Sequence, residues 1–313
     1  MLSSGPELSD RSAVAPVSGT RGEPPVMLSR WSLLYRSLLH DPPAFAGAVV
    51  VLALLIVAVF GPLLAPHSPY TGFGNGLSKI GAPLPPGGRF PLGTDPNGRD
   101  VLSRLIFGAR ISLTIGVAAN GLATLIGLLV GLLAAYIGGW VDTILMRLTD
   151  VVMAFPILLF AIALIAVTGP SETNVILVIA FLYWTYVARV IHGMVLSLKE
   201  REFVTATRTL GISGRRIMFR HILPHLVPAL IVYFTLGVAS TILIEASLSY
   251  IGIGVPVPIP SWGQMIAQGQ DYYQIAPWLF IFPGIALVAT VLAFNLVGDW
   301  LRDVLDPTTP QRR

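Results

Sequence analysis

His221 and His225 stand four residues apart, a spacing that puts two imidazoles on one helix face, where they would suit a transition metal. No His-Glu-x-x-His occurs, Pro224 interrupts the stretch, and no third ligand accompanies the pair. The chain has no cysteine, which removes thiolate ligands, disulfides and cysteine nucleophiles together. No Gly-x-Ser-x-Gly turn is present to raise a serine nucleophile. The only lysines, Lys79 and Lys199, precede Ile80 and Glu200, so the Gly-x-x-x-x-Gly-Lys-Ser/Thr phosphate cradle is absent. The chain is therefore read as non-catalytic, with no metal and no cofactor of its own.

Other ionisable residues have spacings that suit structure or coupling. Asp95, Arg99, Asp100 and Arg104 recur at helical intervals and can pair, and Thr94 and Asp95 have side chains suited to capping a helix. Glu245 stands at one end of an apolar stretch, and Asp150, Arg189, His192 and Asp299 stand at the ends of others. Ion-coupled carriers need ionisable groups at mid-membrane. The apolar stretches contain none, so such a carrier is disfavoured.

The elements that hold these residues are set by composition. Among 313 residues, 54% are apolar and 12% are charged. A soluble domain carries about 25% charge. These values exclude a secreted disulfide scaffold, a disordered chain and a nucleic-acid binder, and point to a polytopic membrane protein. The net charge of +4 fits basic residues gathered in cytoplasmic loops.

Six stretches lack charge: residues 44–65, 111–137, 151–169, 173–188, 226–244 and 272–298. Crossing a core of ~30 Å takes about 20 residues. The expectation is an all-α fold with about six transmembrane helices. The stretch 173–188 is short and is expected to extend by snorkelling of Arg189 or Glu172. The first stretch follows a long polar leader and does not read as a cleaved signal. Residues 1–30, rich in Ser, Pro and Gly, are expected to be a disordered cytoplasmic leader. Residues 31–65 then form an N-terminal segment with the first span, and 66–110 an extracytoplasmic loop with a short helix. A membrane core covers 111–300, with a cytoplasmic loop at 199–225, and a cytoplasmic tail covers 301–313. With both termini in the cytoplasm, 15 basic residues lie inside and five outside (Lys79, Arg89, Arg99, Arg104 and Arg110).

Gly127 and Gly131, followed by Ala135, make a ridge of small residues that admits another helix closely. Pro156 and Pro283 lie within spans and are expected to kink them. These positions and Glu245 serve either plain packing or gating. Residues 252–277 hold Pro256, Pro258 and Pro260, then Trp262: a stiff loop that either faces the outer mouth or anchors at the headgroups.

Residues 202–224 are the most informative segment. After Glu202, Phe203, Ala206 and Leu210 recur at helical spacing on a polar segment. Gly211 stands where a helix stops, Ser213-Gly214-Arg215-Arg216 turns into a second, basic helix, and Leu223-Pro224 closes it before the fifth span. Physics alone leaves two readings open: a knob offered to another protein, or an amphipathic helix lying on lipid headgroups.

This loop resembles the cytoplasmic signature of permeases of ATP-binding-cassette importers, Glu-Ala-Ala-x3-Gly-x9-Ile-x-Leu-Pro. It keeps Ala206, Gly211, Leu223 and Pro224, and departs at Thr205, Thr207 and His221. Further blocks are similar to the C-type subunit of dipeptide, oligopeptide and nickel permeases. They are Phe90-Pro91-Leu92-Gly93-Thr94-Asp95, Gly98-Arg99-Asp100, Ala154-Phe155-Pro156, Glu245-Ala246-Ser247-Leu248-Ser249-Tyr250, Pro260-Ser261-Trp262-Gly263, Phe282-Pro283-Gly284 and 295–307. The resemblance implies a type I importer permease in the cell inner membrane. It implies a second homologous permease subunit, cytoplasmic ATPase subunits docking on residues 202–224, an extracytoplasmic substrate-binding protein, and membrane lipid around the bundle. It further implies alternating access for di- or oligopeptides, with nickel or glutathione-like substrates as alternatives. A stand-alone channel or ion-coupled carrier is the reading from another class.

Overall fold

The computed structural model describes residues 37–305, so the leader and the end of the tail lie outside the described residues. Helix α1 spans Pro42–Leu64, with the Asp41 carboxylate accepting from the Ala44 amide at 3.1 Å and prolines in the first turn, where no N–H is needed. Helix α2 spans Val101–Ile137 and ends at Gly138, whose φ of +74° only glycine adopts freely. Helices α3 (Gly139–Met153) and α4 (Ile157–Thr168) follow. Helix α5 spans Glu172–Lys199, capped by Ser171 on the Asn174 amide. Helix α6 is Glu202–Thr209, and α7 runs Gly214–Tyr250. Helix α8 is Trp262–Gln270 and α9 is Trp278–Leu305. Among the described residues there are no strands, only isolated bridges within residues 77–100.

Five of these helices, α1, α2, α5, α7 and α9, are long and apolar enough to cross a bilayer, and the bent pair α3–α4 makes a sixth if counted as one span. In hydrocarbon only a helix satisfies every backbone group within its own segment, which is why the uncharged stretches become helices. Helix α2 is central, with α5, α7 and α1 packed along it. Gly127 lets α5 come close: a methyl there would lie 2.6 Å from Val187 Cβ and 2.7 Å from the Trp184 carbonyl oxygen. At Gly131 it would meet the Ala188 backbone and lie 3.0 Å from the His192 amide.

Several expectations are corrected. The separate short helix foreseen before residue 111 is absent, because Val101–Arg110 are the first turns of α2 itself. Its cap is Asp100, accepting from the Ser103 amide at 3.1 Å, rather than Thr94 or Asp95. The span foreseen at 151–169 is broken: α3 and α4 meet at 89° across Ala154–Pro156, and Pro156 caps α4 rather than bending one helix. The short span at 173–188 becomes the 28-residue α5, so no snorkelling is needed. Pro283 is buried near the start of α9, which passes it without a break. Residues 272–277, expected within that span, precede the helix.

Candidate functional site

The segment joining α5 to α7 is built as an elbow. Helix α6 has one inward residue, Val204, packed with Val195, Ile217, Ile222 and Leu226. Phe203, Ala206 and Leu210 point the other way and are exposed, Leu210 by 77%. An apolar stripe on an amphipathic helix normally faces its own core. Here the larger stripe faces outward and a single valine anchors the helix. Gly211 ends it at φ +71°, with the Ile212 amide returning to the Thr207 carbonyl at 3.2 Å, in the manner of a glycine-ended helix.

Glu202 lies in the first turn of α6, where the helix dipole favours an anion. The Phe203 ring stacks on the His225 ring, with centroids 5.1 Å apart. His225 therefore meets an aromatic, and no cluster of three metal-binding side chains occurs among the described residues. Arg208, Arg215, Arg216 and Arg220 are all exposed around the stripe.

Leu223 and Pro224 do not close a helix. They lie inside α7, which continues from Gly214 through a π-helical turn at Ile217–Ile222. Such a turn relaxes the register where a proline supplies no N–H. Residues 214–224 are therefore part of α7, while α6 joins that helix through the turn at residues 210–213 and joins α5 through Glu200 and Arg201.

Nearby groups tie this end together. The Lys199 ammonium donates to the Ala135 carbonyl at 2.6 Å and the Tyr136 carbonyl at 3.1 Å, capping α2. His192 Nε2 is 2.7 Å from Asp142 Oδ1, joining α5 to α3. Arg189 pairs with Asp150, and Arg147 lies 3.9 Å from the same carboxylate. The roles of Val204 and Lys199 were missed in the sequence, as was Asp142 as the partner of His192. For Val204 the signal was available, as an apolar residue opposite an apolar stripe.

At the other end lies a cap made from residues 66–100 and 251–277. Asp95 accepts from Arg99 Nε at 2.6 Å and lies 3.4 Å from Arg104 Nε, and all three are buried. Asp100 accepts from the Ser103 hydroxyl at 2.6 Å and lies 3.3 Å from His67 Nδ1. These charges do not form a solvated loop. They weld the start of α2 to the segment before it, and the Arg104 side chain reaches Gln268 of α8.

Trp262 is not a headgroup anchor in this fold. It is buried against Gly108, and its indole N–H donates to the Leu105 carbonyl at 3.1 Å. Glu245 is wholly buried: Ser112 and Ser249 donate to its two oxygens at 3.0 and 2.7 Å. The Trp262 amide reaches the same Ser112 oxygen at 3.4 Å, so this carboxylate ties α7, α2 and the start of α8. Gly127, Gly131, Pro156 and Pro283 lie apart from both the elbow and the cap contacts just described.

A helical membrane bundle with a cap at one end and an exposed elbow at the other fits a transport subunit. The chain belongs to the family of binding-protein-dependent transport system inner membrane components, whose profile matches residues 127–310. Residues 29–86 match the N-terminal TM domain of oligopeptide transport permease C. The chain is 37% identical to the dipeptide transport system permease protein DppC of Alkalihalophilus pseudofirmus, over 90% of each chain. It is 40% identical to the di/tripeptide transport system permease protein DppC of Pseudomonas aeruginosa, over 87% of this chain and 90% of that one. It is 39% identical to the glutathione transport system permease protein GsiD of Pectobacterium atrosepticum, over 88% and 91%. The protein is thus a multi-pass inner-membrane permease subunit of an ATP-binding-cassette importer.

Proposed function

We propose that this chain forms half of the transmembrane pathway of a di- or oligopeptide importer and that a partner ATPase moves it through residues 202–224. The carrying observation is the outward apolar stripe Phe203, Ala206 and Leu210 on a helix whose one buried residue is Val204. Exposed large apolar residues in a polar segment mark a surface that another protein covers. Because Val204 packs α6 against Ile217, Ile222 and Leu226 at the start of α7, a push on the elbow is passed through that contact and tilts α7 against α2. That is the rigid-body motion alternating access requires. The full assembly would add a second homologous permease subunit, the ATPases and an extracytoplasmic binding protein that delivers substrate.

The orientation proposed is both termini in the cytoplasm and the cap outside. Of the five basic residues assigned outside, Arg99 and Arg104 are consumed in the buried network with Asp95. Only Lys79, Arg89 and Arg110 are exposed at the cap end, while the elbow alone exposes four arginines. This sharpens the inside bias in basic residues. The regions proposed are a leader at 1–30, a first span within 31–65, an outer cap within 66–110, a core at 111–300 holding the coupling loop, and a tail at 301–313. Peptides are the first substrate choice because most of the relatives compared carry that name, and glutathione-like peptides come next.

The test is uptake by vesicles holding the complete importer, comparing a dipeptide, a longer peptide, glutathione and nickel, with Gly211→Pro and Leu210→Asp variants alongside. Proline cannot adopt the φ of +71° at Gly211, and aspartate charges the most exposed residue of the apolar stripe. Both variants should insert in the membrane, lose ATP-driven uptake and retain less ATPase on purification. Full uptake by both would sink the coupling role. Uptake of nickel alone would keep the mechanism and overturn the substrate.

A further inference from the structure

Three tyrosines meet halfway along the two helices that the elbow joins. Tyr183 and Tyr186 lie on α5 with ring centroids 5.9 Å apart, and the Tyr233 ring of α7 meets Tyr186 edge-on at 6.2 Å. Tyr186 is 14 residues from one end of α5 and 13 from the other, about 20 Å at 1.5 Å per residue, and Tyr233 is similarly central on α7. The three rings therefore sit near the middle of the bilayer.

That depth is unusual for the residue. Tyrosine favours the membrane interface, where its hydroxyl meets water. A phenol in hydrocarbon without a partner carries a desolvation penalty. Tyr183 meets this requirement through Ser240. No partner for the Tyr186 or Tyr233 hydroxyl occurs among the described residues, and Tyr186 is 46% exposed. The backbone beneath Tyr233 is pinned, because Asn120 Nδ2 of α2 donates to the Phe234 carbonyl at 2.6 Å.

The face of α5 that carries Tyr186 continues in kind. Arg189, Gly193 and Ser197 are exposed below it, one turn after another toward the elbow. Gly193 has open space where a side chain would be. By contrast, the exposed residues of α1 include Val49, Leu52, Leu55, Ile56, Val59, Phe60 and Leu63, a face made for lipid tails. One surface is apolar throughout, while the other sets a guanidinium, a small residue and a hydroxyl, with Leu196 beside them, beneath an aromatic cluster.

We infer that Tyr183, Tyr186 and Tyr233 are a substrate contact at mid-membrane, where a peptide in transit lays its side chains on the rings and its amides on the free hydroxyls. This rests on the peptide-importer reading and adds to it a place and a selectivity. Aromatic faces accept apolar and aromatic side chains, and cations by the ring quadrupole. Phenolic hydroxyls both donate to and accept from peptide groups. Since both helices lead directly into the elbow, its motion changes the spacing of Tyr186 and Tyr233 and can grip or release what lies between them.

The test uses the complete importer in vesicles, with a radiolabelled dipeptide. Tyr186→p-benzoylphenylalanine and Tyr233→p-benzoylphenylalanine should crosslink the peptide when the complex is held with ATP and vanadate. Excess cold peptide should suppress the adduct, and the same probe at Leu55 should give none. In parallel, Tyr186→Ala should change the ratio of uptake rates for an aromatic and an aliphatic dipeptide by about 2- to 10-fold, the worth of one aromatic contact. A packing role alone would lower both rates together. Adducts only with lipid or with the partner permease, in a complex that imports peptide normally, would overturn the inference and leave the importer reading standing. An unmodified complex that imports no peptide would overturn the importer reading and this contact with it.

Discussion

Replacing Gly127 by alanine separates packing from intrinsic helix preference. In an open helical position this change is favourable by up to about 1 kcal/mol, because alanine forms helix better than glycine. At Gly127 the added methyl would lie 2.6 Å from Val187 Cβ, 2.7 Å from the Trp184 carbonyl oxygen and 2.9 Å from the Ala188 amide nitrogen. These are a Cβ and two backbone atoms, so no side-chain rotation relieves the clash and α5 must move. Carbon contacts settle near 3.5–4.0 Å, so the helices must part by roughly 1 Å. A gap of that size forfeits a quarter to a half of each contact's attraction along the seam. Between helices in lipid, that attraction is a main source of association. The net loss is about 1–3 kcal/mol, as for other overpacked cores. Gly193, on the same helix pair, has nothing within 4 Å of its missing Cβ. Gly193→Ala should therefore be neutral or gain up to about 1 kcal/mol. The assay is the fraction of full-length protein that stays monodisperse in mild detergent after stepped heating. Gly127→Ala should lower the midpoint and Gly193→Ala should hold or raise it. The reasoning fails if the two variants shift together, or if Gly127→Ala matches the unmodified chain.

Two further outcomes follow from buried charge. Glu245→Ala leaves the Ser112 and Ser249 hydroxyls without their acceptor and opens a cavity, at a cost of about 2–5 kcal/mol. Limited proteolysis should then cut residues 251–261 faster, and Glu245→Gln should lie between; an uncut loop in the alanine variant would refute the tie. Asp95→Ala strands two buried guanidiniums, Arg99 and Arg104, at about 3–5 kcal/mol. Membrane abundance on immunoblots should collapse, and normal abundance would show that water reaches those groups.

Much of the bundle was legible because the bilayer writes its demand into composition. Residues 44–65 and 226–244 are uncharged since nothing there can solvate a charge, and both fall within helices, α1 and α7. The helix limits were less legible, for a specific reason. Arg110 ended a charge-free window, but α2 begins before it and also takes in Arg104, which Asp95 neutralises inside the protein. Arg189 likewise ended a window that α5 ignores, because Asp150 of α3 meets it. In both cases the partner that removes the cost lies on another segment.

The elbow divides in the same way. Its glycine stop, its arginines and its apolar residues at helical spacing are properties of residues 202–216 by themselves, since they follow from local backbone geometry and periodicity. Which face of that helix turns outward depends on Val204 finding Val195, Ile217 and Leu226, contacts among three helices. Trp262 and Glu245 make the point most sharply. Alone, Glu245 looked like an end-of-span residue and Trp262 like part of a stiff loop at the outer mouth or the headgroups. Their burial follows from Ser112, whose hydroxyl lies 133 residues before Glu245 in the chain and 150 before Trp262. Composition, charge pattern and local motifs thus determined that this is a helical membrane protein with a helix–glycine–helix elbow. The joining of distant residues determined where its helices begin, where one breaks, and which polar groups are sealed inside, because a buried charge or hydroxyl takes its energy from whatever the fold sets beside it.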